Sequence, residues 1–201
     1  MIPTTVDDSK YNRLGPDPDV LKLAGVKTVA LSATPDGFGL MNVYFPERVE
    51  RYASAGLNVE AFHTWYEYPD PKDQVEAFRL ALKYVRWNPS WRVWNDVEKG
   101  GVPIVLNRKA TQSAWAVTTG IAALGLTVGI YTSAYMWHSK VRIVKDMYPW
   151  YQFDLWTAHW NQRVKAPLMP YPWKRWKRWQ YAGDIVMFGQ DGIDLNVDAE
   201  V

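Results

Sequence analysis

The sequence predicts one α/β domain that folds as an irregular, TIM-like (β/α) barrel with short final strands. The main observation is that short β-rich runs alternate with longer helical runs along the chain. Repeated strand–helix units of this kind build parallel sheets with right-handed crossovers. In addition, no strand-to-helix junction carries a glycine-rich phosphate loop, which argues against a nucleotide-binding sheet. The 201 residues are enough for a single domain, 1–201, with a sizeable core.

The predicted elements have local signals of their own. Asp17 and Pro18 are typical of a helix start, and Gly25, Gly56 and Gly125 are typical of helix ends. The predicted strands cover 4–9, 26–34, 57–65, 91–98, 126–133 and 154–160, followed by two short strands at 178–184 and 192–198. The predicted helices cover 17–25, 45–56, 70–87, 111–124 and 134–147.

Composition narrows the classes of function. The chain has no cysteine, which excludes disulfides and cysteine-bound metals. His63, His138 and His159 lack metal-ligand spacing, so they give no reason to expect a metal site. The net charge of +2 gives no reason to expect a nucleic acid partner. The 12 Trp and 12 Tyr supply core packing, and they also suit a groove that stacks against sugar rings.

One segment raises the alternative of a membrane span. Residues 110–137 contain no Asp, Glu, Lys or Arg, and the segment is long enough to cross a bilayer. It is interrupted by several Thr and Ser residues and by Gly120, Gly125 and Gly129. Since continuous apolarity is missing, we favour a buried helix that stops at Gly125 and is followed by a buried strand.

A pair of carboxylates lies in the segment WNDVEKG (94–100). Asp96 and Glu98 are two residues apart, so a strand would direct both side chains to one face, roughly 6.5–7 Å apart at Cα. Such a pair belongs either to a solvated edge or to a site that uses it. The preceding Trp91, Val93 and Trp94 favour burial. A half-buried pair resists joint ionisation, which leaves one protonated acid beside one carboxylate, as glycoside hydrolysis requires.

Two further aspartates are candidates for the same site. Asp7 ends the first predicted strand, and Asp194 lies in the last. Each has an alternative role as a turn or capping residue. Chemistry in a (β/α) barrel gathers at the C-terminal ends of the strands, so we expect both to converge with Asp96 and Glu98 at one mouth.

The segment WKRWKRW (173–179) is both basic and aromatic. It is interpreted mainly as a half-exposed strand whose basic residues face water. The alternative is that Lys174 or Lys177 contacts a polyanionic cell-wall surface.

Several segments, in order along the chain, share the pattern of a known family. They are VDDS (6–9), AGLNVEAFHTW (55–65), DVE (96–98), IYTSAYMW (130–137), LWTAHW (155–160), and WKRWQYAG with GIDLN (176–183 and 192–196). In order and spacing the chain resembles the family 25 glycoside hydrolases, the lysozymes of phages, bacteria and some fungi that cleave peptidoglycan.

The resemblance implies a diverged N-acetylmuramidase that cuts the β-1,4 bond between N-acetylmuramic acid and N-acetylglucosamine. It implies that Glu98 is the general acid and Asp96 the partner carboxylate, with Asp7 and Asp194 setting the field around them. It also implies that the reaction needs no metal and no organic cofactor. Asp96 would stabilise an intermediate formed by the N-acetyl group of the substrate or act directly on the cationic sugar. The residues expected to bind substrate are Phe62, His63, Tyr131, Trp156 and Trp179.

The expected partner is bacterial peptidoglycan, with no nucleic acid and no membrane insertion. The first residues, MIPTTVDDSKYNR, lack the pattern of a signal peptide. We therefore expect a phage-encoded enzyme that acts on the wall from the host cytoplasm before release or from the virion. It could be part of a larger phage protein.

The chain departs from the family pattern in three segments. Ser32 and Pro35 replace a Lys and a Glu of the second strand, Phe62 replaces a tyrosine, and TVD replaces GID at the start. Two alternatives therefore stay open. The chain could be a virion structural or wall-binding module with weakened catalysis, or a barrel glycosidase that acts on another polysaccharide.

Overall fold

The computed structural model describes residues 1–8, 14–35, 40–98, 108–140 and 148–199. Within these ranges, strands close into a barrel in sequence order, and the last strand pairs with the first. The strands are β1 Thr5–Asp8, β2 Thr28–Thr34, β3 Asn58–Thr64, β4 Arg92–Asp96, β5 Thr127–Ser133, β6 Asp154–Ala158, β7 Arg178–Met187 and β8 Gln190–Asp198. The predicted (β/α) barrel is confirmed.

Helices lie in the connections between the early strands. They are α1 Pro18–Leu23, α2 Phe45–Ser54, α3 Pro71–Lys83, α4 Arg108–Ala123 and α5 Ala134–Lys140, with a 3-10 turn at Trp150–Gln152. Gly25, Gly56 and Gly125 follow α1, α2 and α4 with φ values of 87°, 81° and 80°, which glycine adopts without steric cost. The expected continuation of α5 over 141–147 lies outside the described residues.

The final strands differ from the prediction. β7 and β8 have 10 and 9 residues and are the longest strands in the described ranges. β8 runs antiparallel to both β7 and β1, whereas the pairs from β1 to β7 are parallel. Antiparallel strands need only a tight turn between them, and Phe188 and Gly189, both with positive φ, provide it. A helix-free hairpin therefore closes the barrel.

Helix α4 contains the first part of the charge-poor segment 110–137 that raised the membrane alternative. It buries Ala114, Val117 and Ile121 within the main hydrophobic cluster. Its buried Thr118 hydroxyl donates to the Ala114 carbonyl at 2.8 Å and accepts from Asn95 Nδ2 at 2.9 Å. Among the helices in the described ranges, none is long and apolar enough to cross a membrane.

The barrel interior contains a buried cation. Arg178, at the start of β7, is only 3% exposed. Its Nη1 donates to Glu60 Oε2 at 2.5 Å, and its Nε donates to Asp198 Oδ1 at 2.7 Å. The guanidinium carbon also lies 5.5 Å from the ring centre of Trp94 and 5.2 Å from that of Trp156. Burial alone would lower the pKa of Arg178, but the two carboxylates raise it, so the side chain stays charged.

Arg178→Met should lower the free energy of unfolding by about 3–5 kcal/mol, because Glu60 would stay buried without its counter-charge. Urea unfolding followed by tryptophan fluorescence measures this loss. The same substitution at exposed Arg175 is the matched control and should leave the midpoint unchanged. Equal midpoints for Arg178→Met and the wild-type protein would contradict a structural role for the buried cation.

Candidate functional site

The end of β4 holds the Asp96 and Glu98 pair in one orientation. The Trp65 amide donates to the Asp96 carbonyl, and the Val97 amide donates to the Tyr131 carbonyl, both at 2.9 Å. These bonds to β3 and β5 keep the backbone extended beyond the last residue of β4, so positions 96 and 98 face the same side. Asp96 is 8% exposed and Glu98 is half-buried. The pair therefore does not lie on a solvated edge.

Asp7 and Asp194 lie directly opposite each other on β1 and β8. Asp7 is 8% exposed, and its Oδ2 accepts from Asn196 Nδ2 at 2.8 Å and from Gln180 Nε2 at 3.2 Å. The expectation that Asp194 reaches the mouth from a parallel strand end is wrong. Because β8 is antiparallel, Asp194 approaches from the middle of its strand and meets Asp7 through the pairing register.

The two aspartates form a coupled acid pair. Burial raises the pKa of Asp7 well above its usual value, and the negative charge of Asp194 raises it further. Burial also raises the pKa of Asp194, but a hydrogen bond from the Asp184 amide, at 2.6 Å, and one from Asp7 act in the opposite direction. Asp7 therefore binds a proton more tightly than Asp194 does.

Tyr131 is the common neighbour of the acidic residues. Burial raises the pKa of its phenol well above the usual value, followed in order by the charges of Glu98, Asp7, Asp96 and Asp194. Its hydroxyl donates to Gln180 Oε1 at 2.8 Å. The structure thus brings the predicted acidic residues together around one tyrosine at the barrel mouth.

Gln180 is a central residue that the sequence analysis did not single out. Its Oε1 accepts from the Tyr131 hydroxyl and from Trp160 Nε1, both at 2.8 Å. Its Nε2 donates to Asp7 Oδ2 at 3.2 Å and to Asp194 Oδ2 at 3.0 Å. The amide is 1% exposed, and these four contacts satisfy its donors and acceptor lone pairs. A signal was available in the sequence, because Gln180 sits within the WQY segment of the family pattern.

The aromatic candidates divide between the mouth and the interior. Trp156 and Phe62 belong to the small interior cluster, and Trp156 Nε1 donates to Asn196 Oδ1 at 2.7 Å. Trp160 was not selected from the sequence, although it ends the LWTAHW segment. It is 61% exposed, and a β-carbon at Gly183 would overlap its ring. Gly183 therefore lets an exposed indole lie beside the acidic residues.

Two residues that were predicted to bind substrate lie on the outer face of the barrel wall, so the prediction is wrong for both. His63 is fully buried, contacts the Phe78 ring of α3 and hydrogen-bonds with Thr34 Oγ1 at 2.7 Å. Trp179 is 1% exposed, and its Nε1 donates to the His159 carbonyl at 2.8 Å. Side chains alternate along a strand, so the inward Phe62 and Gln180 direct these neighbours towards the outer layer. Neither residue lines the mouth.

Two of the departures from the family pattern lie on paired strands. Ser32 is 2% exposed and pairs in register with Phe62. The Ser32 carbonyl accepts from Asn42 Nδ2 at 3.0 Å, which ties β2 to the chain leading into α2. Pro35 follows β2 and is half-buried. Among the described residues, no group of His, Asp or Glu is arranged to hold a metal ion.

Asp7→Asn should stabilise the protein at pH 7 and have little effect near pH 4. Because the pKa of Asp7 is raised on folding, the folded chain binds this proton more tightly than the unfolded chain. The stability that this proton contributes is present below the pKa that Asp7 has in the unfolded chain. It is lost as the pH rises through the pKa that Asp7 has in the folded chain. Asparagine can imitate the protonated acid without titrating.

Thermal unfolding at both pH values tests this expectation. Each pKa unit is worth about 1.4 kcal/mol, and about 1 kcal/mol moves the midpoint by roughly 2–4 °C in a domain of this size. Asp191→Asn, at an exposed position on the neighbouring strand β8, is the control. A larger gain at pH 4 than at pH 7 would contradict the assigned proton.

Comparisons with known proteins identify the family of this chain. The model of the family described as glycosyl hydrolases family 25 matches residues 6–190. No curated protein sequence gives a significant match.

Solved structures share the fold across nearly the whole chain. A family 25 glycosyl hydrolase from Bacillus anthracis has a TM-score of 0.76 at 21% identity, covering 98% of this chain and 88% of that chain. A muramidase from Trichobolus zukalii has a TM-score of 0.77 at 18% identity, with coverages of 99% and 95%. The catalytic domain of endolysin ply40, from bacteriophage P40 of Listeria monocytogenes, has a TM-score of 0.69 at 18% identity, with coverages of 99% and 94%. At these identities the likeness shows the fold, whereas the family match shows descent: the chain belongs to glycosyl hydrolases family 25 and is a glycoside hydrolase.

Proposed function

We propose that the protein hydrolyses peptidoglycan at the β-1,4 bond between N-acetylmuramic acid and N-acetylglucosamine. The observation that carries the proposal is the meeting of four carboxyl groups around Tyr131. Asp96 pairs with Tyr131 in register, Gln180 joins Tyr131 to Asp7 and Asp194, and the charge of Glu98 acts on its phenol. Family membership supports glycosidic chemistry, and the muramidase and endolysin among the similar structures support this polymer as substrate.

Glu98 is the general acid of the proposed reaction. It is the half-buried member of the β4 pair and keeps access to solvent and substrate, whereas Asp96 is buried. Glu98 interacts electrostatically with Asp194, and neighbouring carboxyls resist joint ionisation. Glu98 gives its proton to the glycosidic oxygen as the bond to the sugar breaks.

Asp96 is the partner carboxylate. The Thr64 hydroxyl donates to its Oδ2 at 3.3 Å, and the backbone of β4 fixes it beside Glu98. Its negative charge faces the sugar carbon that becomes cationic. It stabilises either an intermediate formed by the substrate's N-acetyl group or the oxocarbenium-like sugar itself; family exceptions of the substrate-assisted kind exist.

Asp7 and Asp194 act on the Asp96 and Glu98 pair through their charge. Because burial raises the pKa of both carboxyls, together they contribute less negative charge near Glu98 than two fully ionised aspartates would. Gln180 fixes the orientation of both carboxyls, and its contacts to Tyr131 and Trp160 connect them to the mouth.

The biological setting is also part of the proposal. A viral lysin would act on the wall from the host cytoplasm before release, or from the virion. The likeness to the catalytic domain of a Listeria phage endolysin supports this setting.

Glu98→Gln should reduce hydrolysis of purified peptidoglycan about 10²–10⁴-fold without unfolding the chain, because an amide cannot donate the proton. Asp96→Asn should also reduce the rate severely, through loss of charge beside the developing cation. Turbidity loss measures the rate, and thermal unfolding checks the fold. Wild-type rates for the Gln variant would show that Glu98 is not the acid.

The bond that is cut can be identified by mass spectrometry. After borohydride reduction of the products, cleavage at N-acetylmuramic acid should leave reduced muramic acid at the new chain ends. Reduced glucosamine ends would assign a different bond, and release from chitin alone would favour another polysaccharide. An inactive wild-type protein that still binds walls would favour a wall-binding virion module.

Gln180→Glu should lower activity by roughly 10²-fold, as expected when reacting groups lose their alignment. Glutamate keeps acceptors for Tyr131 and Trp160 but loses both donors to Asp7 and Asp194. The added charge should also move the pH profile of the rate. Gln112→Glu, at an exposed position on α4, should leave rate and profile unchanged; an unshifted profile for the Gln180 variant would refute the positioning role.

A further inference from the structure

A second groove lies away from the acidic site. It has a volume of about 840 Å³ and lies between the start of β6 and the segment that leads into β7. Its lining includes Lys174, Arg175 and Lys177 together with Tyr151, Tyr171 and Trp176. It is thus both cationic and aromatic, in a chain whose net charge is only +2.

The groove is at the opposite end of the barrel from the proposed catalytic residues. Asp154 is the first residue of β6, and Lys177 immediately precedes β7. The acidic site is at the C-terminal end of the parallel strands. A strand of five residues spans roughly 13 Å, so one ligand group cannot occupy both places.

Among the residues that the structure describes, the positive charge of the groove is not cancelled locally. The acidic residue in its lining, Asp154, is paired with Arg92 at 2.5 Å. Nearby Asp198 is paired with Arg178 at 2.7 Å. Lys174 and Arg175 are exposed. The cationic groups can therefore bind an anionic ligand.

The groove rests on a rigid base. Trp173 is 7% exposed, donates from Nε1 to the Phe153 carbonyl at 2.8 Å and packs against Trp137. The Lys177 amide donates to the Leu155 carbonyl at 2.7 Å. The backbone that carries the cationic side chains is thus fixed to β6, which lowers the ordering cost of binding.

The aromatic members give the groove a preference for rings. Tyr151 is 69% exposed and Tyr171 is 48% exposed. Exposed tyrosines present an apolar face with a polar edge, which suits the face of a sugar ring. Cations beside such rings suit a sugar polymer that carries negative groups.

We propose that this groove binds an anionic wall glycan, a sugar polymer that carries phosphate or carboxylate groups. The choice of polymer rests on the proposed function, but the binding itself does not require catalysis. A second site on a repeating substrate would hold the enzyme on the wall between cuts and raise its local concentration. The sequence interpretation of 173–177 as a strand is wrong, because the strand begins only at Arg178.

The test is co-sedimentation with purified cell walls, in the Glu98→Gln background so that the walls stay intact. Combined substitution of Lys174→Ala, Arg175→Ala and Lys177→Ala should weaken binding roughly tenfold, and added salt should weaken the parent protein similarly. Lys72→Ala, Lys83→Ala and Arg86→Ala remove the same charge from exposed positions on and after α3 and form the matched control. Tyr151→Ala with Tyr171→Ala should also weaken binding.

Two wall preparations identify the source of the charge. Walls that keep their polyol-phosphate polymers test phosphate, and walls stripped to peptidoglycan test carboxylate. Groove-dependent binding to either preparation supports the proposal. Equal binding by the groove variant and its parent overturns it, as does tighter groove-dependent binding to a single-stranded oligonucleotide. A wild-type protein that does not hydrolyse peptidoglycan but still binds walls through the groove would count against the proposed function alone.

Discussion

The ion network around the buried Arg178 guanidinium is the constraint on which the placement of the barrel strands depends. It joins Glu60 of β3 to Asp198 of β8 and lies against indoles from β4 and β6. Buried ion pairs of this kind add little net stability compared with apolar packing, but they do not tolerate misalignment. The charge network therefore fixes how the strands are placed around the axis, and apolar packing with the helices supplies most of the stability.

The inward faces of β7 and β8 connect this ion network to the barrel mouth. Gln180 follows Arg178 by two residues on β7, and Asn196 lies between Asp198 and Asp194 on β8, so all point inward. Asn196 accepts from Trp156 at 2.7 Å and donates to Asp7 at 2.8 Å. The ion network is thus connected to the acid pair through the Trp156 ring, which lies against Arg178, and through the hydrogen bonds of Asn196.

The barrel and the carboxylate pair could be predicted because their signals are local. Strand–helix alternation defined the elements, and the spacing of Asp96 and Glu98 placed them on one face. The face that His63 or Trp179 occupies could not be predicted, because both faces of a barrel strand are buried and neither shows polar alternation. Gln180 is uncharged, and its contacts form only when the barrel closes. Its role was therefore harder to predict than that of the charged residues. The reversed direction of β8 depends on a turn rather than on strand composition.

The hairpin that closes the barrel has a consequence for biogenesis. Asn196 and Asp7, which hydrogen-bond in the finished site, are separated by 189 positions in the sequence. Such distant contacts form late, because the entropy of closing the intervening loop must be overcome first. A ribosome-bound chain, or a folding intermediate with an open barrel, would contain Asp96 and Glu98 but not the coupled acid pair. Enzymatic competence would therefore arise in a single step, when the last strand joins the first.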